Sequence, residues 1–284
     1  MPLFLYLYFV EQHGRIGVFD SGFGGLTILR EIMDTMPMYD YIYLGDNARA
    51  PYGNKSFDLI YEYTLEGVRY LFDQGCELVI LACNTASAKA LRTIQQKDLP
   101  RIAPTKRVLG VIRPSTEEIG SLSYTGVVGI LGTEGTVNSN SYGIELAKLS
   151  PKTKVIQQAC PLWVPLIEER AYNSAAGKLI IESDLKRLFE QNENIDVIVL
   201  ACTHYPILKE QIDSFVPAGV RVLTQGPLVS EKLKDYLYKH EEIENRLTRG
   251  SSLSCYTTES GDYFNAHASE IFGQPLRAKH IELN

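Results

Sequence analysis

The stretch Glu77-Leu-Val-Ile-Leu-Ala-Cys-Asn-Thr85 recurs 119 residues later as Asp196-Val-Ile-Val-Leu-Ala-Cys-Thr-His204. In each copy an acidic residue precedes four aliphatic ones, then Ala-Cys, then two polar residues. Four consecutive aliphatic positions suit a strand buried on both faces, which occurs where helices cover both sides of a parallel sheet. The polar pair after the cysteine suits a strand end opening into a helix. A second pair, Ile16-Gly-Val-Phe-Asp-Ser-Gly22 and Val128-Gly-Ile-Leu-Gly-Thr-Glu134, recurs at an offset of 112. Two pairs at nearly one spacing predict a duplication, giving an α/β protein of two pseudo-symmetric parallel-sheet domains with a cleft between them.

Working outward, apolar runs at residues 41–44, 108–111, 154–158, 220–223 and 254–257 predict further strands. Three- and four-residue apolar spacing at 26–36, 57–74, 86–96, 137–149, 179–191 and 227–246 predicts helices. Residues 16–111 are assigned to the first domain and 112–220 to the second. Residues 221–284 are expected to pack back on the first. Residues 1–15 are expected outside the core fold. Their apolar run from Leu3 to Val10 follows no basic residue, precedes no small-residue cleavage site, and is far short of the roughly 20 residues of a membrane span. They are read as a leader, either an extra edge strand or a disordered tail.

The whole chain of 284 residues is 45% hydrophobic and 22% charged, a globular balance that excludes a disordered or fibrous protein. Lys and Arg total 28 against 34 Asp and Glu, a net charge of −6 that argues against an electrostatic nucleic-acid binder. Five cysteines without tight spacing make no disulfide framework, so a soluble protein of the reduced cytoplasm is expected, with no membrane partner.

In parallel α/β sheets ligands bind beyond the carboxyl ends of the strands. The residues expected there are Asp20, Ser21, Cys83, Asn84, Thr85, Thr133, Cys202, Thr203 and His204. A lone cysteine at a strand end is usually a small buried hydrophobe. Two at equivalent repeat positions, facing one cleft, are a different matter. One thiol can remove a proton from one face of a carbon while the other delivers a proton to the opposite face. Such a pair suits inversion of a stereocentre. An α-hydrogen is weakly acidic, so its base must be close, aligned and desolvated. A thiol ionises near ~8.5 in solution, so neighbours must adjust each cysteine. Asp20 is the candidate partner of Cys83, and His204 of Cys202. Ser21, Asn84, Thr85 and Thr203 supply neutral donors for carboxylate oxygens. The turn Gly22-Phe-Gly-Gly25 lacks the third glycine of a dinucleotide fingerprint, there is no Walker-type phosphate loop, and neither cysteine has the spacing of a zinc site. No metal or cofactor is expected.

These residues also resemble the motifs of the glutamate racemase family, in order: Asp20-Ser-Gly-Phe-Gly-Gly-Leu-Thr27, Gly45-Asp46 with Pro51-Tyr-Gly53, Ala82-Cys-Asn-Thr-Ala86, Ala159-Cys-Pro161 with Pro165-Leu-Ile-Glu168, and Cys202-Thr-His-Tyr-Pro206. The resemblance runs from Ile16 onward. It implies a cofactor-independent isomerase that interconverts L- and D-glutamate for peptidoglycan, with its active site between two α/β domains. Carried over by motif, Cys83 is the base for D-glutamate and Cys202 the base for L-glutamate, assisted by Asp20 and His204. Asp20, Ser21, Tyr52, Gly53, Asn84, Thr85, Thr203 and His204 are the implied substrate contacts, with Asp46, Thr133 and Glu168 as secondary candidates. A homodimer is also implied.

From the residues alone three other functions stay open. One is a sister racemase or isomerase acting on aspartate, a hydantoin or maleate, since a single methylene is worth only ~1–3 kcal/mol of discrimination. Another is a cysteine hydrolase using Cys202 and His204, which would leave Cys83 idle. The last is a non-enzymatic binding module.

Overall fold

The computed structural model describes residues 14–283. The described strands are β1 (Arg15–Asp20), β2 (Tyr41–Gly45), β3 (Cys76–Leu81), β4 (Arg107–Gly110), β5 (Val127–Gly132), β6 (Lys154–Ala159), β7 (Val197–Ala201), β8 (Arg221–Leu223), β9 (Leu253–Thr257) and β10 (Ala278–His280). They form two sheets in which every described pairing is parallel, ordered β10-β9-β2-β1-β3-β4 and β6-β5-β7-β8. The run β2-β1-β3-β4 has the order of β6-β5-β7-β8, with the repeat partners β1 and β5, and β3 and β7, in matching places. The expected duplicated α/β architecture is therefore the observed one.

The aliphatic runs are buried on both faces, as their composition requires. In β3, Leu78 and Ile80 join one core cluster while Val79 and Leu81 join the cluster on the other face. In β7, Ile198 and Leu200 face one cluster and Val197 and Val199 the other. Each such side chain withdrawn from water contributes about 1.5–3 kcal/mol, so these central strands anchor whatever stands at their ends.

The chain crosses between the sheets twice. It leaves β4 through Val111 into helix Ile112–Leu122, and it leaves β8 through Thr224 into helix Gln225–Lys239. These two crossover helices pack on each other, and the second also packs on helix Leu26–Thr35 of the first half. Strand β9 of the tail pairs with β2 of the first sheet. Strand β8 hydrogen-bonds to β7, so the expected division at residue 220 falls one residue ahead of a strand of the second sheet.

Several elements differ from expectation for local reasons. The helix expected at 86–96 starts at Asn84, capped by Cys83, and is broken into Asn84–Lys89, Leu91–Thr93 and a wide turn at Ile94–Asp98. The one expected at 137–149 is two helices, Glu134–Ser139 and Ser141–Leu149, divided at Asn140, whose φ of 51° is left-handed. The one expected at 227–246 starts at Gln225 and ends at Lys239, with a short turn at Glu241–Glu244. Arg15, assigned to the leader, is the first residue of β1, and the Gly14 N–H donates to the Gly75 carbonyl, so the core fold begins earlier than expected. The rest of the expected leader, residues 1–13, lies outside the described residues. Among the described residues no helix is long and apolar enough to cross a membrane.

Candidate active site

Cys83 follows β3 and Cys202 follows β7, at the carboxyl ends of equivalent strands. Between them lies one cavity of about 20 Å³, lined by both cysteines and by Ser21, Tyr52, Gly53, Asn84, Thr85, Thr133, Glu168, Thr203 and His204, with Ala50, Pro51 and Val164. That volume is on the scale of a single water. A substrate as large as an amino acid therefore requires the walls to part. No Lys or Arg is among the lining residues, so the side-chain donors offered to an anion are hydroxyls, an amide, two thiols and one imidazole, beside the Glu168 carboxylate.

The two halves meet closely here. A Cβ on Gly24 would lie 2.4 Å from Thr203 Oγ1 and 2.6 Å from His204 Nδ1, so only glycine lets the first-half turn approach the second-half loop. The Thr27 hydroxyl donates to the Thr203 carbonyl at 3.0 Å, and the Thr85 and Thr133 hydroxyls are 2.9 Å apart across the other wall. Thr133 also caps helix Glu134–Ser139 by accepting the Thr136 N–H.

The environments of the two sulfurs differ. Cys83 Sγ accepts the Ala86 N–H at 3.5 Å and lies 3.4 Å from Ser21 Oγ. Burial, and then the negative charge of Asp20, push its thiol up to about 12, against the Ser21 and Ala86 hydrogen bonds. The Asp20 charge thus has a sign that favours the neutral Cys83 thiol. Asp20 itself is fully buried and is not among the residues lining the cavity. Its carboxylate accepts the Gly22 N–H at 3.0 Å and the Thr203 hydroxyl at 3.3 Å. Burial raises its pKa, outweighing the His204 charge and these donors.

On the other side, burial disfavours a charged His204, but hydrogen bonding to Cys202 and contact with Glu168 outweigh it and raise the imidazole to about 10. Its Nε2 lies 3.3 Å from Glu168 Oε1, within ion-pair distance. Cys202 therefore lies beside an imidazolium, and Cys83 beside the Asp20 carboxyl group. The turn after Cys202 differs from that after Cys83, because Pro206 stands in a short 3₁₀ turn, Tyr205–Leu208, ahead of helix Lys209–Phe215.

Asp46, a secondary candidate, does not line the cavity. It accepts hydrogen bonds from the Tyr52 phenol, from Arg49 Nε and, at 2.9 Å, from the Thr258 hydroxyl, and so fixes the loop that carries Tyr52 and Gly53. Helix Trp163–Glu168, just after Cys160-Pro161, supplies Val164 and Glu168 to the lining. Cys76 and Cys255 sit in core clusters away from the site. Among the described residues no group of three or more His, Cys, Asp or Glu side chains gathers as a metal site.

Sequence patterns missed Val164, whose type signals nothing, and a buried polar group behind the cavity. Gln225, Tyr142 and Ser115 are each 0–1% exposed and hydrogen-bond into Asn84 or to one another. No spacing rule connects residues drawn from four separate elements.

Residues 27–228 match the protein family described as Asp/Glu/Hydantoin racemase. A glutamate racemase of Geobacter metallireducens is 38% identical over 249 residues, covering 87% of this chain and 85% of its own. Among solved structures, a glutamate racemase isoform of Bacillus anthracis superposes with a TM-score of 0.86 at 30% identity, over 96% of this chain and 98% of that one. A glutamate racemase of Francisella tularensis, solved in complex with D-glutamate, superposes with a TM-score of 0.84 at 31% identity, over 96% and 99% of the two chains.

Proposed function

The chain belongs to the Asp/Glu/Hydantoin racemase family, and on that premise we propose that it interconverts L- and D-glutamate by a two-base mechanism on Cys83 and Cys202. The observation that carries the proposal is that both sulfurs, at equivalent ends of duplicated strands, line a single cavity. The substrate sits with its α-carbon between them. Neutral donors from Ser21, Asn84, Thr85 and Thr203 hold its carboxylates, so the product is not trapped by a fixed cation.

In the L-to-D direction Cys202 takes the α-proton as a thiolate, and Cys83 returns a proton to the opposite face. The buried environment that favours the Cys83 thiol suits its role as the acid. In the reverse direction Cys83 must act as the base, beside a carboxyl group whose own pKa burial has raised. Asp20 can then hold a proton while Cys83 is ionised, so that the buried pair carries one negative charge instead of two. His204 plays the complementary part, its positive charge facing Cys202 when that sulfur is a thiolate. A base on one side and an acid on the other is the condition for turnover in either direction.

The lobes we assign are residues 14–111 with 224–283, and residues 112–223. Glutamate binding requires them to separate, since the closed cavity is on the scale of a water. We further assign the product to peptidoglycan synthesis in the cytoplasm, and the enzyme to a homodimer, on the strength of the family resemblance. The test is circular dichroism of L-glutamate over time in D2O, with L-aspartate run alongside and no pyridoxal phosphate or metal added. The proposal predicts decay of the glutamate signal with deuterium at the α-carbon and an unchanged aspartate signal. An unchanged glutamate signal would refute it, and preferential decay of aspartate would reassign the substrate.

A further inference from the structure

Three side chains behind the cavity close a ring of hydrogen bonds. Asn84 Nδ2 donates to Gln225 Oε1 at 2.5 Å, Gln225 Nε2 donates to the Tyr142 hydroxyl at 2.8 Å, and that hydroxyl donates to Asn84 Oδ1 at 2.8 Å. The ring has a consequence for Asn84, which follows Cys83 directly and lines the cavity. A side-chain amide offers two N–H donors and one carbonyl. In Asn84 the carbonyl and one N–H are engaged by the ring, which fixes the orientation of the amide and leaves one N–H. A reversed Asn84 amide would set carbonyl against carbonyl at Gln225 and take away the acceptor of the Tyr142 hydroxyl. All three residues are buried, so water cannot replace a lost partner at little cost.

Gln225 also stands where the chain crosses between the sheets. It opens the helix of the second crossing, and its Nε2 lies 2.8 Å from Ser115 Oγ and 3.3 Å from the carbonyl of Val111, the residue of the first crossing. One amide therefore touches both connections between the lobes, a helix of the second half through Tyr142, and the residue beside the first-half cysteine.

We propose that Gln225 is a positioning residue of the racemase. It holds the Asn84 amide so that its remaining N–H serves a substrate carboxylate, and it registers that donor to both inter-lobe crossings. The proposal rests on the racemase function argued above. It differs from a stability role in one respect: Gln225 must act through Asn84.

The experiment is a double-mutant cycle with Gln225→Leu and Asn84→Ala, reading kcat and KM for glutamate beside the wild type. Loss of one directed hydrogen bond to substrate predicts a rise in KM of about tenfold for Gln225→Leu, with kcat changed less. Asn84→Ala should give a rise of similar size, and the double variant should be no worse than the poorer single one. An unchanged KM in Gln225→Leu, or two effects that multiply in the double variant, would overturn the proposal. If Gln225→Leu fails to fold, Tyr142→Phe, which removes the donor to the Asn84 carbonyl, must show the same non-additivity with Asn84→Ala. A readout without turnover keeps the proposal separate from the racemase assignment. The Asn84 side-chain NH₂ resonances, identified by their loss in Asn84→Ala, should shift or exchange-broaden in Gln225→Leu or Tyr142→Phe. Unmoved resonances would refute the positioning role whatever the enzyme turns over, whereas a wild type that exchanges no α-proton would refute only the reaction.

Discussion

The environment of Cys83 makes a quantitative prediction about its reactivity. An ordinary cysteine ionising near ~8.5 is about one-quarter thiolate at pH ~8, whereas a thiol raised to about 12 is ionised to about one part in 10⁴. Ionisation alone should thus slow alkylation of Cys83 by about 10³ relative to a small free thiol. Burial of the sulfur slows it further, but by a factor that does not change with pH. The pH dependence therefore isolates the electrostatics. Residue-resolved mass spectrometry after short pulses of iodoacetamide should show Cys83 labelling still rising about tenfold per pH unit above pH ~9, where the reference thiol levels off. Asp20→Asn removes the nearest negative charge. With a like-charge repulsion of ~1–2 kcal/mol for a buried neighbour, labelling at fixed pH should increase about tenfold. A wild-type profile that levels with the reference thiol would refute the assignment of Cys83 as the resting acid. Slower labelling in Asp20→Asn would refute the sign of the Asp20 contribution.

Other perturbations test the remaining parts of the site. A His204 raised from 6.5 to about 10 gives stability that is complete below pH ~6.5 and is lost as pH rises towards 10, at up to about 1.4 kcal/mol per pH unit. Urea unfolding at several pH values between 7 and 9 should show that slope in the wild type and a flatter one in His204→Gln, and parallel profiles would contradict it. Gly24→Ala places a methyl group 2.4 Å from Thr203 Oγ1, so racemisation should fall more than tenfold while circular dichroism still reports a folded chain; near-normal turnover would show that the lobes need not meet there. Asp46→Ala leaves Arg49 with Glu66 as its remaining carboxylate and unpairs the buried Tyr52 phenol, so unfolding free energy should drop by about 1–3 kcal/mol, and a change below about 0.5 kcal/mol would remove Asp46 from its role in holding the loop.

The duplicated strands were legible in the sequence because residues buried on both faces must be aliphatic throughout, and that constraint survives in Glu77–Thr85 and Asp196–His204 alike. The two cysteines were legible for the same reason, as chemistry placed at equivalent strand ends. The helix breaks were not. Asn140 turns left-handed between two helices whose apolar spacing continues across it, and periodicity does not report φ. Strand β10 escaped because Lys279 and His280 are exposed at a sheet edge and carry no apolar run. The direction in which Asp20 acts on Cys83 depends on burial, which a motif does not state. The ring through Gln225 depends on contacts between positions 58 to 141 residues apart, where pairing is decided by tertiary packing alone.

The two-base mechanism requires the two sulfurs to serve opposite faces of one carbon. The direct measurement is α-deuterium uptake in D2O by Cys83→Ser and Cys202→Ser, each given L-glutamate and D-glutamate separately. Neither variant should racemise. Cys83→Ser, keeping Cys202, should label L-glutamate without inverting it, and Cys202→Ser should label only D-glutamate. Labelling of both enantiomers by either variant, or wild-type racemisation after loss of one sulfur, would contradict a mechanism with one base on each side.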